Sequence, residues 1–291
     1  MENIEFTISK ESNFDFTTTV FINHKDQNSN LSRHLKKIIN FSSEYDDLIK
    51  DIQNNFKINP KQESIIIINR PNQKVKYHKI IVMGNQYSLN SDDDLNHKID
   101  NYRVLGQKIL KGMKHNQLNR LNIVMPGSSD NLEAVVEGLL LSTYQFNKYK
   151  TDKRIDNLNL IEQNFKPSNI HIVSHLKNNN GINKKLEELK NKIFSVFYAK
   201  NLINEPPNVL KPNSFVKMVV KTIKSNKLPI NIEVFDTKKL KQMKMNLILS
   251  VGQSENKNNA RLLILKYTPN KGKNVDYVLL GKGVTYDSGG I

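Results

Sequence analysis

The end of the chain carries the residue types with the most chemical capacity. Lys282 lies between Gly281 and Gly283, and Asp287 follows five positions later, ahead of Ser288, Gly289 and Gly290. An amine and a carboxylate set among four glycines at the end of an apolar run need unusual backbone freedom or the close approach of another group. The plainer alternative is a glycine-rich turn bearing a Lys–Asp surface pair, and spacing alone leans toward it. Other candidates carry less. Gly281-Lys282-Gly283 lacks the GxxxxGK[ST] spacing of a phosphate loop, and no HExxH occurs. His171 and His175 sit four apart on or beside a strand, hence on one face. Without carboxylates nearby they read as packing or surface histidines rather than ligands. Ser288 has neither a local His nor a GxSxG elbow, so no triad is expected. The chain has no Cys, which excludes disulfides, thiolate zinc sites and cysteine nucleophiles.

These residues need a scaffold. Val278-Leu279-Leu280 reads as a buried apolar strand, and open α/β sheets place ligand sites beyond strand C-termini. Lys282 and Asp287 are therefore expected at the C-terminal edge of a second sheet, facing one cavity. Strands are expected there at Ile230–Phe235, Asn246–Val251, Arg261–Tyr267 and Val275–Leu280, with a short helix at Thr237–Met243. An earlier helix carries Phe215, Met218, Val219 and Ile223, capped by Asn213 or Ser214.

The first half alternates the two periodicities. Strands are expected at Ile4–Thr7, Val20–Asn23, Ser64–Ile68, Lys79–Met83, Leu121–Met125 and Ile170–Val173, and helices at Leu48–Phe56, Leu95–Lys114 and Asn131–Tyr144. Such alternation implies an α/β domain with a largely parallel sheet. Lys177–Lys185, with Asn178-Asn179-Asn180-Gly181, is the expected linker. A long helix follows over Lys184–Leu202, with Leu186, Leu189, Ile193, Val196 and Phe197 at helical spacing. It stops before Pro206-Pro207.

Composition sets the outer bounds. At 291 residues the chain is one large domain or two ordinary ones. Its apolar fraction of 37% is low but too well patterned for disorder. Forty-one residues are Asn, a bias resembling A/T-rich codon usage, so Asn and Lys runs are discounted. No stretch approaches the ~20 apolar residues of a membrane span, and Met1–Glu5 lacks the features of a secretory signal. A soluble, cytoplasmic protein is expected. Charge is uneven: residues 1–165 hold 22 basic and 20 acidic side chains, residues 166–291 hold 22 and 8, a net of +14. Dispersed Lys on a solvated face explains this better than a nucleic-acid partner.

Leu280-Gly281-Lys282-Gly283-Val284-Thr285-Tyr286-Asp287-Ser288-Gly289-Gly290-Ile291 resembles the G-K-G-[IV]-T-F-D-S-G-G signature of the leucyl (cytosol) aminopeptidases, a metallopeptidase family. Tyr286 for Phe is the one departure. Ala199 to Leu210 resembles the family's A-R-D-L-x-N-x-P-x-N segment, with Lys200-Asn201 in place of Arg-Asp. Glu137-Gly138-Leu139 through Lys150 resembles E-G-x-x-L-x-x-Y-x-F-x-x-Y-K, and Val251-Gly252-Gln253-Ser254 resembles V-G-x-G-S with a residue altered or lost. The resemblance runs in order over about 130–291.

It implies a macro-like N-terminal α/β domain at 1–176, and the first part of an α/β catalytic domain at 177–291. It implies metal-dependent release of leucine-like N-terminal residues from peptides by a two-metal activated water. Lys282 and Asp287 map to metal ligands, the metals being Zn or Mn, with Mg admissible. A Lys ligates only as the neutral amine, so its ordinary pKa near ~10.4 must be driven down by the metal charge. The resemblance places the family's second, catalytic Lys, further carboxylates and bicarbonate-holding Arg beyond Ile291, so no catalytic residue is expected within this chain. Weak or absent metal occupancy and background activity are expected of the chain alone. The partners implied are peptide substrates and a homo-hexamer, or a polypeptide supplying the rest of the catalytic domain. The rival reading is a catalytically inactive truncated subunit that serves binding or assembly.

Overall fold

The β-branched runs of the first half pair with one another. The computed structural model describes residues 5–9, 18–23, 68–70, 78–84, 95–115, 120–124, 129–150, 169–173, 179–252, 260–269 and 275–286. Strands β1 (Glu5–Ser9), β2 (Thr18–Asn23), β3 (Ile68–Arg70), β4 (His78–Gly84), β5 (Arg120–Val124) and β6 (Asn169–Val173) form a six-stranded sheet in the order β1-β6-β5-β2-β4-β3. All pairings are parallel except β3 with β4. The helix expected at Leu48–Phe56, most of the strand at Ser64–Ile68, His175 and Asp287 lie outside the described residues.

Helices α1 (Leu95–His115) and α2 (Ser129–Leu141) connect these strands, and α3 (Asn179–Ile203) follows the last of them. By compactness the chain divides into Met1–Phe197 and Tyr198–Ile291. The core of the first unit is built from helical stripes: Tyr102, Leu105, Ile109 and Met113 of α1, Leu132, Val135, Val136 and Leu139 of α2, and Ile182, Leu186, Leu189 and Ile193 of α3, with Ile170 of β6. The α3 residues recur at i, i+4, i+7 and i+11, the face-forming spacing of a 3.6-residue period. The helix takes in Asn179, Asn180 and Gly181, so the expected linker is largely helical. Val196, expected on the buried stripe, is exposed, whereas Phe197 packs on the core.

Glycine sets the approach of α1 to α2. A Cβ on Gly138 would lie 1.9 Å from the Arg103 carbonyl oxygen, and one on Gly106 would lie 2.0 Å from that of Val135. Both obstacles are backbone, which cannot swing aside. Gly138→Ala is therefore expected to cost at least the ~1–3 kcal/mol of ordinary overpacking. Thermal unfolding of the variant checks this; an unchanged midpoint would contradict the tight crossing.

The second unit is built from short elements. Helix α4 (Pro212–Ser225) is followed by β7 (Ile230–Phe235), α5 (Thr237–Gln242), α6 (Asn246–Gly252) and β8 (Leu262–Tyr267). The cap expected at Asn213 or Ser214 is instead Lys211. Pro212 has a fixed φ and no N–H to satisfy, so it opens the helix earlier. Ser214 accepts the Lys211 N–H at 2.8 Å and donates to the Val209 carbonyl at 2.6 Å. Asp236 caps α5 by accepting the Lys239 N–H at 2.8 Å. The two strands form an antiparallel pair with Ile230 opposite Tyr267 and Phe235 opposite Leu262.

Two expected strands are not strands. Asn246–Val251 belongs to α6. The cause lies at the end of α5, where Lys244 takes a left-handed φ of 58°. Met245 N–H donates to Leu240 O and Lys244 N–H to Lys241 O, each at 3.0 Å. This is the Schellman pattern, and it turns the chain into a new helix before it can reach the sheet. Val275–Leu280 is irregular and exposed. Its apolar run has strand composition, but among the described residues only β7 pairs with β8. Among the described residues, no helix is long and apolar enough to cross a membrane.

Candidate functional site

Lys282 lies in the irregular stretch 275–286 and is exposed. The Val284 N–H donates to the Lys282 carbonyl at 3.0 Å, closing a three-residue turn around Gly283. Gly281 and Gly283 have open space where a Cβ would stand, and neither has a left-handed φ. The close approach expected at these glycines is therefore not present in the described segment. The strand that was to carry Lys282 to a sheet edge is absent as well, since Val278, Leu279 and Leu280 are 81%, 97% and 94% exposed. Asp287 lies outside the described residues, so the Lys–Asp pair has no geometry to report.

Among the described residues no group of three or more His, Cys, Asp or Glu side chains could hold an ion. One exposed Lys is a single nitrogen donor, and a divalent ion needs four or more ligands. The described residues thus do not make a metal centre by themselves.

A different constellation forms in the first unit. Glu137 on α2 is buried, its side chain 8% exposed. Its Oε2 accepts from Arg103 Nε of α1 at 2.6 Å, and its Oε1 accepts from Lys192 Nζ of α3 at 2.6 Å. Arg103 Nη1 also donates to Asp100 Oδ1 at 2.6 Å. These short, charge-assisted bonds tie three helices to one carboxylate. Burial alone would push the Glu137 pKa up; hydrogen bonds and charge from Lys192 and Arg103 outweigh it and hold the pKa below the usual carboxylate range. The Arg103 pKa is raised, first by its bond to Glu137. A carboxylate with both oxygens engaged and a lowered pKa has no proton to exchange near neutrality, so the cluster is a clamp rather than an acid–base pair. Sequence reading singled out Glu137 only within a motif. Its partners stand 34 residues upstream and at Lys192 of a different helix, and no local spacing announces such a set.

The lowered pKa predicts an acid dependence. Glu137 contributes stability that is complete above its unfolded value, about 4.3, and is lost as pH falls through the lower folded value. The urea midpoint should therefore fall more steeply below about pH 5 for the wild type than for Glu137→Gln. Parallel curves would show that the clamp does not couple to folding.

The stretch after α2 packs through its rings. Tyr144 meets Phe197 with centroids 5.1 Å apart, Phe146 meets Tyr149 at 5.9 Å, and Lys148 Nζ stands 5.2 Å from the Tyr149 ring centre. These contacts read as packing.

Comparison with known proteins covers most of the chain. Residues 19–153 match the profile described as "Cytosol aminopeptidase family, N-terminal domain". Residues 197–291 match "Cytosol aminopeptidase family, catalytic domain". The chain is similar to the "Probable cytosol aminopeptidase" of Clostridium perfringens, 37% identical over 169 residues, covering 56% of this chain and 32% of that protein. It is 29% identical over 296 aligned positions to the "Cytosol aminopeptidase" of Rickettsia prowazekii, covering 100% of this chain and 55% of that protein. A solved tomato leucine aminopeptidase mutant has the same fold, with a TM-score of 0.70 at 17% identity over 98% of this chain and 55% of its own. The chain thus spans little more than half the length of these relatives at most.

Proposed function

The chain belongs to the cytosol aminopeptidase family, carrying its N-terminal domain and part of its catalytic domain, and from that premise we propose that it serves the metal-dependent release of leucine-like N-terminal residues from peptides. Residues 1–176 are read as a macro-like N-terminal domain and 177–291 as the start of the catalytic domain. The observation that carries this reading is the Gly281–Gly290 signature, lying inside the catalytic match at 197–291.

In this reading Lys282 and Asp287 are two ligands of a two-metal site, and the remaining ligands come from the part of the fold beyond the matched region. A metal pair held by these and further ligands would supply an activated water and a Lewis acid for the peptide carbonyl. The chain's own contribution is one amine and one carboxylate, presented on a glycine-rich segment. The compartment is the cytoplasm, and a homo-hexamer is the proposed assembly.

The second reading is a non-catalytic subunit for binding or assembly. It is favoured by the exposure of Lys282 and by the lack, among the described residues, of a group of His, Asp or Glu side chains that could hold an ion. Hydrolysis of leucine amide separates the two. The first reading requires turnover, dependent on Lys282 and Asp287, once the rest of the catalytic fold is joined to the chain. The second requires none under any such supplement.

A further inference from the structure

One face of α4 holds a single kind of charge. Among its 14 residues Lys217, Lys221 and Lys224 are exposed. They recur at i, i+4 and i+7, so they form one line along the helix. Lys227, just past the helix end with a left-handed φ of 50°, is exposed as well. Val216 and Ile223, on another face, are buried and anchor the helix.

The lysines of α3 are treated differently. There Lys184 reaches Glu188 at 3.9 Å, Lys190 reaches Glu187 at 2.7 Å and Lys192 reaches Glu137 at 2.6 Å. Among the described residues no carboxylate pairs with Lys217, Lys221, Lys224 or Lys227. From Pro206 to Ile232 the chain has five lysines and no acidic residue. Like charges at i, i+4 repel one another and weaken a helix. Codon bias supplies Asn as freely as Lys, yet the exposed residues of α4 are these three lysines and Ser225.

We propose that this line of lysines rests the chain on an anionic lipid surface, with α4 lying along the headgroups. Clusters of four or more lysines on an amphipathic helix suit such a surface, which asks only for positive charge near it. Nucleic-acid backbones are gripped by Arg forks and bases by stacking rings, and the exposed residues of α4 include neither. An acidic protein would meet charges with no apolar centre between them, and surface ion pairs alone hold little. Leu228 directly follows Lys227 and is 43% exposed, an apolar group at the end of the line for the headgroup–acyl boundary to accept. The contact is peripheral, since among the described residues no helix is long and apolar enough to cross a membrane. The inference makes no use of Lys282 or Asp287, so it stands or falls apart from the aminopeptidase reading.

The test sediments the full 291-residue chain with phosphatidylcholine vesicles, pure or containing about 30% phosphatidylglycerol. Retention is expected only on the anionic vesicles, and it should fade as salt rises from about 0.05 to about 0.5 M and the screening length shortens. Lys217→Gln, Lys221→Gln and Lys224→Gln together should lower the partition by about a hundredfold, at roughly fivefold per lysine. A control of equal charge loss, Lys111→Gln with Lys184→Gln and Lys190→Gln, should change it by less than about fivefold. The α4 variant should melt no lower than the wild type, because it removes like-charge neighbours; a lower midpoint would show that these lysines hold the fold instead, and would overturn the proposal. It is also overturned if anionic vesicles do not retain the chain, if pure phosphatidylcholine retains it equally, or if the α4 variant is retained like the wild type. Equal loss in the control would reduce the effect to net charge. A short DNA duplex that displaces the chain from the vesicles at matched phosphate concentration, through the same lysines, would replace the lipid by nucleic acid.

Discussion

The chain alone, supplied with manganese or zinc, is expected to hydrolyse leucine amide at no more than the background rate. Joined in one polypeptide to the following part of the Rickettsia prowazekii relative, it is expected to turn over. Lys282→Ala or Asp287→Ala should then lower kcat/KM by more than about a hundredfold, because even outer-shell partners of a metal site cost ~10–100-fold. The first half of this expectation rests on donor number. Among the described residues no acidic or imidazole cluster stands ready to hold an ion, and a lone amine and a carboxylate leave most coordination positions unfilled. The second half rests on the signature at Gly281–Gly290. In the proposed metal pair Lys282 would supply a nitrogen donor and Asp287 an oxygen donor. Steady-state kinetics with each variant checks both halves. Clear turnover by the pure 291-residue chain, lost in Asp287→Ala, would overturn the first and locate the missing donors within the chain. Turnover in the joined chain that ignores both substitutions would overturn the second.

The parts of the fold legible in the sequence are those decided locally or by long periodic runs. Leu186, Leu189 and Ile193 at helical spacing gave α3 its buried face, and the same logic holds for Leu132, Val135, Val136 and Leu139 on α2. The β-branched runs at Ile80-Ile81-Val82 and Ile170–Val173 pair in the sheet as their composition implies. Short apolar runs behave differently, because periodicity cannot assign them and the neighbour decides. Leu247-Ile248-Leu249 became helix because the left-handed turn at Lys244 restarted a helix. That turn was invisible in the sequence, since the position is Lys rather than the Gly such turns favour. Val275–Leu280 kept strand composition and found no sheet. Its apolar side chains stand exposed, since among the described residues no strand pairs with it. Lys282 and Asp287 enter as candidate ligands only through the resemblance of a short motif. The Arg103–Glu137–Lys192 clamp was not legible at all, since three helices distant in sequence must pack before its charges meet.

That clamp yields the second large effect. Arg103→Met combined with Lys192→Met leaves the buried Glu137 carboxylate without a counter-charge, and removing the partners of a buried ion typically costs ~3–5 kcal/mol. Either substitution alone should cost less, because Arg103 and Lys192 are 36% and 56% exposed and each leaves the other in place. The pH dependence should also change sign. Burial is the largest influence on Glu137 and acts upward; only the two cations bring its pKa below the ordinary value. Without them the folded pKa rises above the unfolded one. A carboxyl group raised in this way is least destabilising where it is protonated in both states, below an unfolded value of about 4.3, and its penalty grows as pH rises through and beyond that value. The wild type should therefore lose stability on acidification, while the double variant should recover part of its deficit between pH 7 and about pH 4. Urea midpoints at those two values measure the crossing. Adding Glu137→Leu to the double variant should restore most of the loss at neutral pH, since an apolar replacement of a whole buried ion set is often neutral or better. A double variant as stable as the wild type at pH 7, with an unchanged acid slope, would mean that the three helices are held by their apolar faces alone and that the clamp contributes no more than a surface pair.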